Sequence, residues 1–333
     1  MRRFDESDAR IRPNPRGSRP RSKLRPEHAE AHDGWVIAVD RGRYLVHGVG
    51  DDDATVTAVT ARELGRRGIV VGDRVRVVGD ITGDEGSLAR IVAREARERV
   101  LRRSADDSDP AERVLVANAD RLAIVTALAD PEPNRRLIDR CLVAAFDAGL
   151  EPLLVLTKSD LADPAPLRAS YELLGVKVIV TRLDGDRIVG LDALVAALAG
   201  GTTVLVGSSG VGKSTLVNAL VPGADRATGD VNDVTGRGRH TSSSAVALEG
   251  PDGAWMVDTP GVRTFGLGHV RVEHLLAAFP EVAAAAVECE PGCPHLGGGD
   301  GCSLDAWAVT PDQVSRLDSI RRLLSSRVGG EPL

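Results

Sequence analysis

Residues 207–214 read GSSGVGKS and fit the pattern G-x-x-x-x-G-K-[ST], between an apolar run and a helix-like segment. The glycines of this pattern let consecutive backbone N–H groups point at one phosphate chain, and the following helix adds its positive N-terminal end. Lys213 is predicted to reach the β- and γ-phosphates, and the Ser214 hydroxyl to bind Mg²⁺, which prefers oxygen ligands. A glycine-rich connection without a ligand is the alternative. The predicted phosphate-binding residues are Gly207, Ser208, Ser209, Gly210, Val211, Gly212, Lys213, Ser214 and Thr215.

The tetrapeptide TKSD directly follows the apolar run PLLVL and is predicted to bind a guanine base through Thr157, Lys158, Ser159 and Asp160. The Asp160 carboxylate can accept two hydrogen bonds from guanine, a pair of donors that adenine does not offer. This base loop precedes the phosphate loop, the reverse of the usual order. No copy lies downstream, because Lys213 is the last lysine of the chain. A site built at strand ends depends on position in space, so the reversed order is physically permissible.

A third segment, DTPG at residues 258–261, follows another apolar run. Asp258 is predicted to hold Mg²⁺, and the Gly261 N–H to bind the γ-phosphate. The polar stretch 234–244 is predicted to order around the γ-phosphate and Mg²⁺, with Thr241 as a second hydroxyl ligand of the ion. A plain surface loop is the alternative for this stretch.

The candidate catalytic residues are His240 and Thr241. Many GTPases place a glutamine directly after the glycine of this third segment to orient the attacking water, but here the residue is Val262. We therefore expect slow intrinsic hydrolysis. His240 could position the water instead, or could contact a partner or solvent; the sequence leaves both open.

Four potential metal ligands, Cys289, Cys293, His295 and Cys302, lie close together in a segment rich in glycine and proline. Three thiolates and one imidazole complete a tetrahedral Zn²⁺ site with no position for water, which predicts a structural metal. Unligated thiols are the alternative.

The elements around these segments fall into four predicted units. Residues 1–30 are rich in Arg and Pro and predict a disordered basic arm. Residues 31–103 contain five short β-like runs separated by turn residues, which predicts an OB-type β-barrel, with an SH3-like barrel fitting nearly as well. Residues 104–266 alternate apolar strands with helices and predict an α/β P-loop domain with a parallel sheet. Residues 267–333 are expected to form a helical zinc-binding domain.

The charge distribution and the apolar runs indicate the kind of partner and the compartment of the protein. Residues 1–103 hold 22 Lys and Arg against 17 Asp and Glu, whereas the remainder holds 20 against 31. A basic front half on an acidic chain favours contact with a polyanion, although a merely solvated arm is equally compatible. No apolar run reaches the length of a membrane span and no secretory signal is evident, so a cytoplasmic protein without a membrane partner is expected.

In the order TKSD, GSSGVGKS, GRHT and DTPG, the chain resembles the circularly permuted GTPases, and among them the ribosome small subunit-dependent GTPase family. The resemblance covers roughly residues 34–320. It implies an OB barrel, a permuted GTPase domain and a zinc-bearing C-terminal domain. It also implies GTP hydrolysis stimulated by the 30S subunit, contact with 16S rRNA, and a monomeric factor in late 30S maturation. Thr157 departs from the asparagine more often found there, and the cysteine spacing differs slightly from the pattern of the family.

Three other functions are compatible with parts of the sequence. A large-subunit assembly GTPase would share the permuted loops, but the leading barrel and the cysteine cluster argue against it. A passive RNA-binding protein could use GTP only as a structural ligand, and Val262 favours that possibility. An ATP-using kinase would share the phosphate loop, but Asp160 argues against it.

Overall fold

A computed structural model describes residues 28–50, 54–64, 68–104, 112–221, 245–259, 267, 270–297 and 301–327. The strands are β1 (His32–Asp40), β2 (Arg43–Val49), β3 (Ala54–Thr60), β4 (Arg74–Gly79), β5 (Ala89–Arg94), β6 (Val100–Ser104), β7 (Glu112–Ala117), β8 (Arg121–Ala127), β9 (Glu151–Thr157), β10 (Lys177–Val180), β11 (Arg182–Asp184), β12 (Arg187–Val189), β13 (Thr202–Val206), β14 (Val246–Glu249) and β15 (Trp255–Asp258). The α-helices are α1 (Arg135–Asp147), α2 (Ala165–Glu172), α3 (Leu191–Leu198), α4 (Lys213–Leu220), α5 (Val272–Ala277), α6 (Pro280–Ala286), α7 (Ser303–Trp307) and α8 (Pro311–Arg327). Within the described ranges, no helix is both long and apolar enough to cross a membrane.

The first five strands close into a barrel. Their order is β1-β2-β3-β5-β4, and a β4–β1 pairing completes the ring. Strands β3 and β5 run parallel while the other neighbours run antiparallel, the connectivity of an OB-type barrel. Alternate residues point inward, and the core is filled by small branched side chains such as Val36, Val46, Val56 and Ile91. The prediction of an OB-type barrel is confirmed.

The central unit is a sheet in the order β10-β9-β8-β13-β15-β14. All neighbours are parallel except β14, which runs antiparallel to β15. Both faces are covered: Leu122 lies in one core with α1, whereas the next residue, Ala123, lies in a second core with α3 and α4. Two-sided burial explains why these strands read as continuous apolar runs rather than as alternating patterns. The α/β prediction is confirmed, and the antiparallel strand β14 corrects the expectation of an all-parallel sheet.

The barrel and the central sheet share backbone hydrogen bonding, because β1 pairs with β14 at Ala38 and Val246. Beside this junction the Trp35 ring packs edge-on against Trp255, with ring centroids 4.6 Å apart, and His47 packs 5.0 Å from Trp255. Two of the three tryptophans of the chain thus lie where the barrel meets the sheet.

The C-terminal helices pack against the central unit through α8. Arg322 Nε donates to the buried Asp139 Oδ2 of α1 at 2.9 Å, and the Tyr171 hydroxyl donates to Asp139 Oδ1 at 3.1 Å. Burial raises the pKa of the Asp139 carboxyl, while the Arg322 guanidinium opposes that rise. Arg316 and Arg140 add bonds to backbone carbonyls across the same junction. These buried polar contacts fix the orientation of α8 on α1 and α2.

Candidate nucleotide site and metal cluster

The predicted phosphate loop lies at the carboxyl end of β13 and leads directly into α4. A Cβ atom on Gly207 would lie 2.4 Å from the Val125 carbonyl oxygen, so a larger residue would displace the neighbouring strand. Gly212 occupies the N-cap of α4 with a φ of 89°, a left-handed conformation that favours glycine. The side chain of Val211 is buried in the core beneath the loop. The loop is therefore held by its own glycines and by packing below it.

Lys213 and Asp258 form an ion pair at the edge of the sheet. Lys213 Nζ donates to Asp258 Oδ1 at 2.7 Å, and the two side chains are 17% and 5% exposed. The pairing unites the residue predicted to bind phosphate with one predicted to bind Mg²⁺. Parallel pairing of β13 with β15 brings them together, because Asp258 ends β15 and Lys213 lies at the end of the loop that follows β13.

Ser214 and Thr215 are half-buried in the first turn of α4, and Ser208 is half-buried in the loop, whereas Ser209 and Gly210 are exposed. This arrangement leaves the loop backbone accessible on the side of Ser209 and Gly210.

The base loop is attached to the phosphate loop by Thr157. This side chain is 5% exposed, and its hydroxyl donates to the Val211 carbonyl at 2.6 Å, with the Thr126 carbonyl 3.3 Å away. A Cβ atom on Gly212 would lie 3.7 Å from Thr157 Oγ1. Thr157 thus links the two loops, a contact that the sequence did not predict, and its contact with the base stays a prediction.

The remaining base-loop residues differ in exposure. Lys158 has a positive φ of 57°, and its ammonium group donates to the Asp130 carbonyl. Ser159 N–H donates to the Thr181 carbonyl at 3.3 Å, which ties the loop to the segment after β10. Asp160 is exposed. Its carboxylate is accessible to a ligand at the rim of the site.

The connection from β8 to α1 is part of this neighbourhood, which the sequence did not predict. Besides accepting from Lys158, it approaches the phosphate loop: a Cβ atom on Gly210 would lie 3.8 Å from Pro131 Cδ. Only its position could have indicated that this connection is near the site, because it follows the carboxyl end of β8, which lies between β9 and β13 in the sheet. Three predicted site residues, His240, Thr241 and Gly261, lie outside the described residues.

The four predicted metal ligands come together between α6 and α7. One donor atom from each of Cys289, Cys293, His295 and Cys302 lies within 4.8 Å of the others. His295 Nδ1 is 3.4 Å from Cys289 Sγ and 3.9 Å from Cys302 Sγ. Ligands of one tetrahedral Zn²⁺ lie about 3.3–3.8 Å apart, as bond lengths of 2.0–2.3 Å require. The donor set and its spacing therefore fit a closed zinc site.

Protonation within the cluster favours metal binding at His295 and Cys289. Burial lowers the pKa of the His295 imidazole; Glu273 opposes this and Arg321 adds to it, so the neutral form is favoured. Burial raises the pKa of the Cys289 thiol, but hydrogen bonds from Ser303 and neighbouring thiols outweigh it and bring the pKa below its ordinary value. In contrast, Cys141 of α1 is a core residue, and its burial raises the pKa of its thiol.

Comparison with known proteins agrees with this architecture. The RsgA GTPase family profile matches residues 94–268. A Pseudomonas aeruginosa (strain PAO1) protein named small ribosomal subunit biogenesis GTPase RsgA is 41% identical over 228 residues, 64% of this chain and 64% of that relative. The protein of the same name from Pseudomonas syringae pv. tomato is 40% identical over 274 residues, 78% of this chain and 75% of the relative.

Two solved structures share the fold. YjeQ from Thermotoga maritima aligns with a TM-score of 0.61 at 24% identity, covering 90% of this chain and all of that one. YloQ, described as a circularly permuted GTPase, aligns with a TM-score of 0.63 at 21% identity, covering 93% of this chain and all of that one. The identity and coverage of the relatives, together with the family profile, show that this chain belongs to the RsgA GTPase family.

Proposed function

We propose that this protein hydrolyses GTP to GDP and phosphate and acts in late maturation of the 30S ribosomal subunit, which stimulates its turnover. The observation that carries the proposal is the convergence of three loops on one edge of the sheet. Thr157 of the base loop bonds the phosphate loop, and Lys213 of the phosphate loop bonds Asp258. These contacts support a site in which the phosphate loop, the base loop and the Asp258 carboxylate act on one nucleotide.

In this proposal Asp160 reads the guanine, the stem of Lys158 lies along the base, and residues 207–215 hold the phosphates. Ser214, Thr241 and Asp258 are the proposed Mg²⁺ ligands; the bound ion would neutralise phosphate charge. Their oxygen donors suit a hard cation. In this proposal Lys213 turns from Asp258 to the phosphates when the nucleotide enters, and the ion pair between the two residues is broken.

Hydrolysis would depend on the partner. We propose His240 and Thr241 as the residues that act on the attacking water, since the side chain of Val262 can neither donate nor accept a hydrogen bond. Gly261 N–H would bind the γ-phosphate. Basal turnover would be slow, and the 30S subunit would complete the catalytic arrangement.

The other units would provide contact and rigidity. The barrel and the basic arm would contact 16S rRNA, and the zinc cluster would hold the C-terminal helices. We place the boundaries at 1–30 for the arm, 31–103 for the barrel, 104–266 for the GTPase domain and 267–333 for the helical domain. The protein would act as a cytoplasmic monomer without a membrane partner.

The experiment that tests the proposal compares GTP turnover by the protein alone, with purified 30S subunits and with 50S subunits. We expect strong stimulation by 30S alone, and weaker binding to 30S as salt is raised because phosphate contacts are screened. Stimulation by 50S alone would favour a large-subunit factor. No turnover in any mixture, with GTP still bound, would favour a GTP-binding RNA-binding protein without significant turnover, the alternative that Val262 supports.

A further inference from the structure

The cysteine cluster is surrounded by polar side chains that are not themselves metal ligands. Ser303, the first residue of α7, contacts Cys289 through two groups: its hydroxyl oxygen lies 2.7 Å from the Cys289 sulfur, and its backbone N–H donates to the same sulfur at 3.3 Å. The first N–H groups of a helix have no partner within the helix, so a thiolate at this place is an acceptor that α7 can use.

The Ser303 hydroxyl has a second neighbour and only one proton. It lies 2.7 Å from the Ala285 carbonyl, near the end of α6. That carbonyl also accepts the backbone N–H of Val287, and that of Glu288 at 3.4 Å. With a neutral Cys289, the S–H can donate to Ser303, which donates to Ala285. A metal-bound thiolate can only accept, so the hydroxyl can turn to the sulfur while Ala285 keeps its backbone donors.

Arg321 of α8 contacts the backbone of the loop that carries the imidazole ligand, His295. Its Nε donates to the His295 carbonyl at 3.2 Å and its Nη2 donates to Asp305 Oδ1 at 2.7 Å. His295 has a positive φ of 56°, which a histidine adopts at a cost. A Cβ atom on Gly297 would lie 2.9 Å from Arg321 Cζ, so the guanidinium packs closely against the loop. Arg321 therefore holds the backbone conformation that aims the ring.

We propose that Ser303 and Arg321 are the positioning residues of the metal site, one fixing the Cys289 sulfur and the other fixing the His295 loop. Neither residue donates an atom to the metal. Ser303 orients and partly neutralises the thiolate, and Arg321 pre-forms the loop so that less ordering accompanies metal binding. The inference rests on the zinc assignment of the proposed function.

The test measures metal affinity in the full chain, stripped of metal under reducing conditions. Zn²⁺ affinity is obtained by competition with a chromophoric chelator, and Co²⁺ absorption reports thiolate coordination. We expect Ser303→Ala and Arg321→Gln each to weaken Zn²⁺ binding about 10–100-fold, the range typical of outer-shell partners of metal ligands. Ser303→Ala should also shift the sulfur-to-cobalt charge-transfer band, because it removes a hydrogen bond to the thiolate.

Two neighbouring variants separate this role from a general loss of stability. Ser319→Ala removes another hydroxyl of the helical region, one that bonds the Ser315 carbonyl of α8. Arg322→Gln removes a partner of the buried Asp139, so it should cost stability, and among the described residues Arg322 bonds Asp139 rather than the metal loop. Both should leave Zn²⁺ affinity within a few-fold of the unsubstituted protein.

The outcomes of these measurements test the positioning roles and the zinc assignment separately. Unchanged affinity and cobalt spectrum in Ser303→Ala and Arg321→Gln would overturn the positioning roles, and so would an equal loss in the two neighbouring variants. Failure of the unsubstituted protein to bind either ion would overturn the zinc assignment, and the positioning roles with it. GTP turnover would still be judged separately.

Discussion

The candidate nucleotide site draws its described residues from between Thr157 and Asp258, whereas the metal cluster draws its ligands from between Cys289 and Cys302. The topology of the sheet assembles the nucleotide site, because residues distant in sequence lie at or just beyond the carboxyl ends of parallel strands of one sheet. A bound ion would assemble the second from a continuous loop. A site of the first kind tolerates a new order of segments as long as the strands keep their neighbours. A site of the second kind needs ligands that are close together in sequence, but it needs no sheet.

Metal removal should separate the two regions most sharply. Structural Zn²⁺ supplies on the order of 10 kcal/mol in small zinc domains, so chelation should unfold the loop between α6 and α7. Hydrogen exchange should increase strongly in residues 288–307 while GTP affinity changes only a few-fold. Excess Zn²⁺ should restore protection. Unchanged exchange after verified metal loss would contradict a structural role for the ion.

Lys213→Ala should disable the nucleotide site while sparing the metal cluster. The variant removes the charge that pairs with Asp258 and is proposed to bind phosphate, so GTP should bind about 100-fold more weakly or worse. Fluorescent-nucleotide titration measures the loss. Lys177→Ala, which removes an exposed lysine on β10, should bind GTP normally. Equal GTP affinity in Lys213→Ala and the unsubstituted protein would refute the phosphate assignment.

Asp160→Asn should change which base is bound more than whether phosphate is bound. An amide cannot accept both guanine hydrogen bonds, so GTP affinity should fall about 10–100-fold. Xanthosine triphosphate should gain, because its base offers a carbonyl where guanine has an amino group. Competition binding with GTP, xanthosine triphosphate and ATP measures the change, with Asp184→Asn as the exposed control. An unchanged order of preference would exclude Asp160 from base recognition.

Thr157→Val should have the smallest effect, because it keeps the shape of the side chain and removes only the bond between the loops. Leaving the Val211 carbonyl without that donor should cost about 1–2 kcal/mol of unfolding free energy and weaken GTP binding several-fold, without favouring ATP. Urea unfolding and titration check both effects. Thr157→Ser retains the hydroxyl and should behave nearly as the unsubstituted protein does. A Thr157→Val protein as stable as its parent would show that the bond contributes little.

Much of the fold followed from local patterns. Short β-like runs separated by turn residues predicted the barrel strands around Val36 and Val46, and continuous apolar runs predicted the buried strands of the central sheet. The elements that escaped prediction are the β6–β7 and β11–β12 hairpins and β14. Their residues are mixed in polarity: β11, for example, is exposed at Arg182, Leu183 and Asp184, so no apolar period marks it.

At the site, residue identities could be predicted but their partners could not. A motif predicts that Thr157 belongs to a base loop; only the packing of β9 beside the phosphate loop turns its hydroxyl toward Val211. The contact of Lys158 with Asp130 depends on a loop conformation between two distant segments, for which the sequence has no periodic signal. The metal ligands were easier, since their chemistry and proximity are both local.

Val246 is shared by two pairings: it lies opposite Ala38 of the barrel and opposite Asp258 of the nucleotide site. Val246 of β14 thus links the barrel, which is proposed to contact RNA, to Asp258, whose carboxylate is proposed to hold Mg²⁺. A movement of β1 would therefore be passed to Asp258 through the backbone pairings of β14. A shift of β1 along β14 would thereby displace Asp258 and change the nucleotide site.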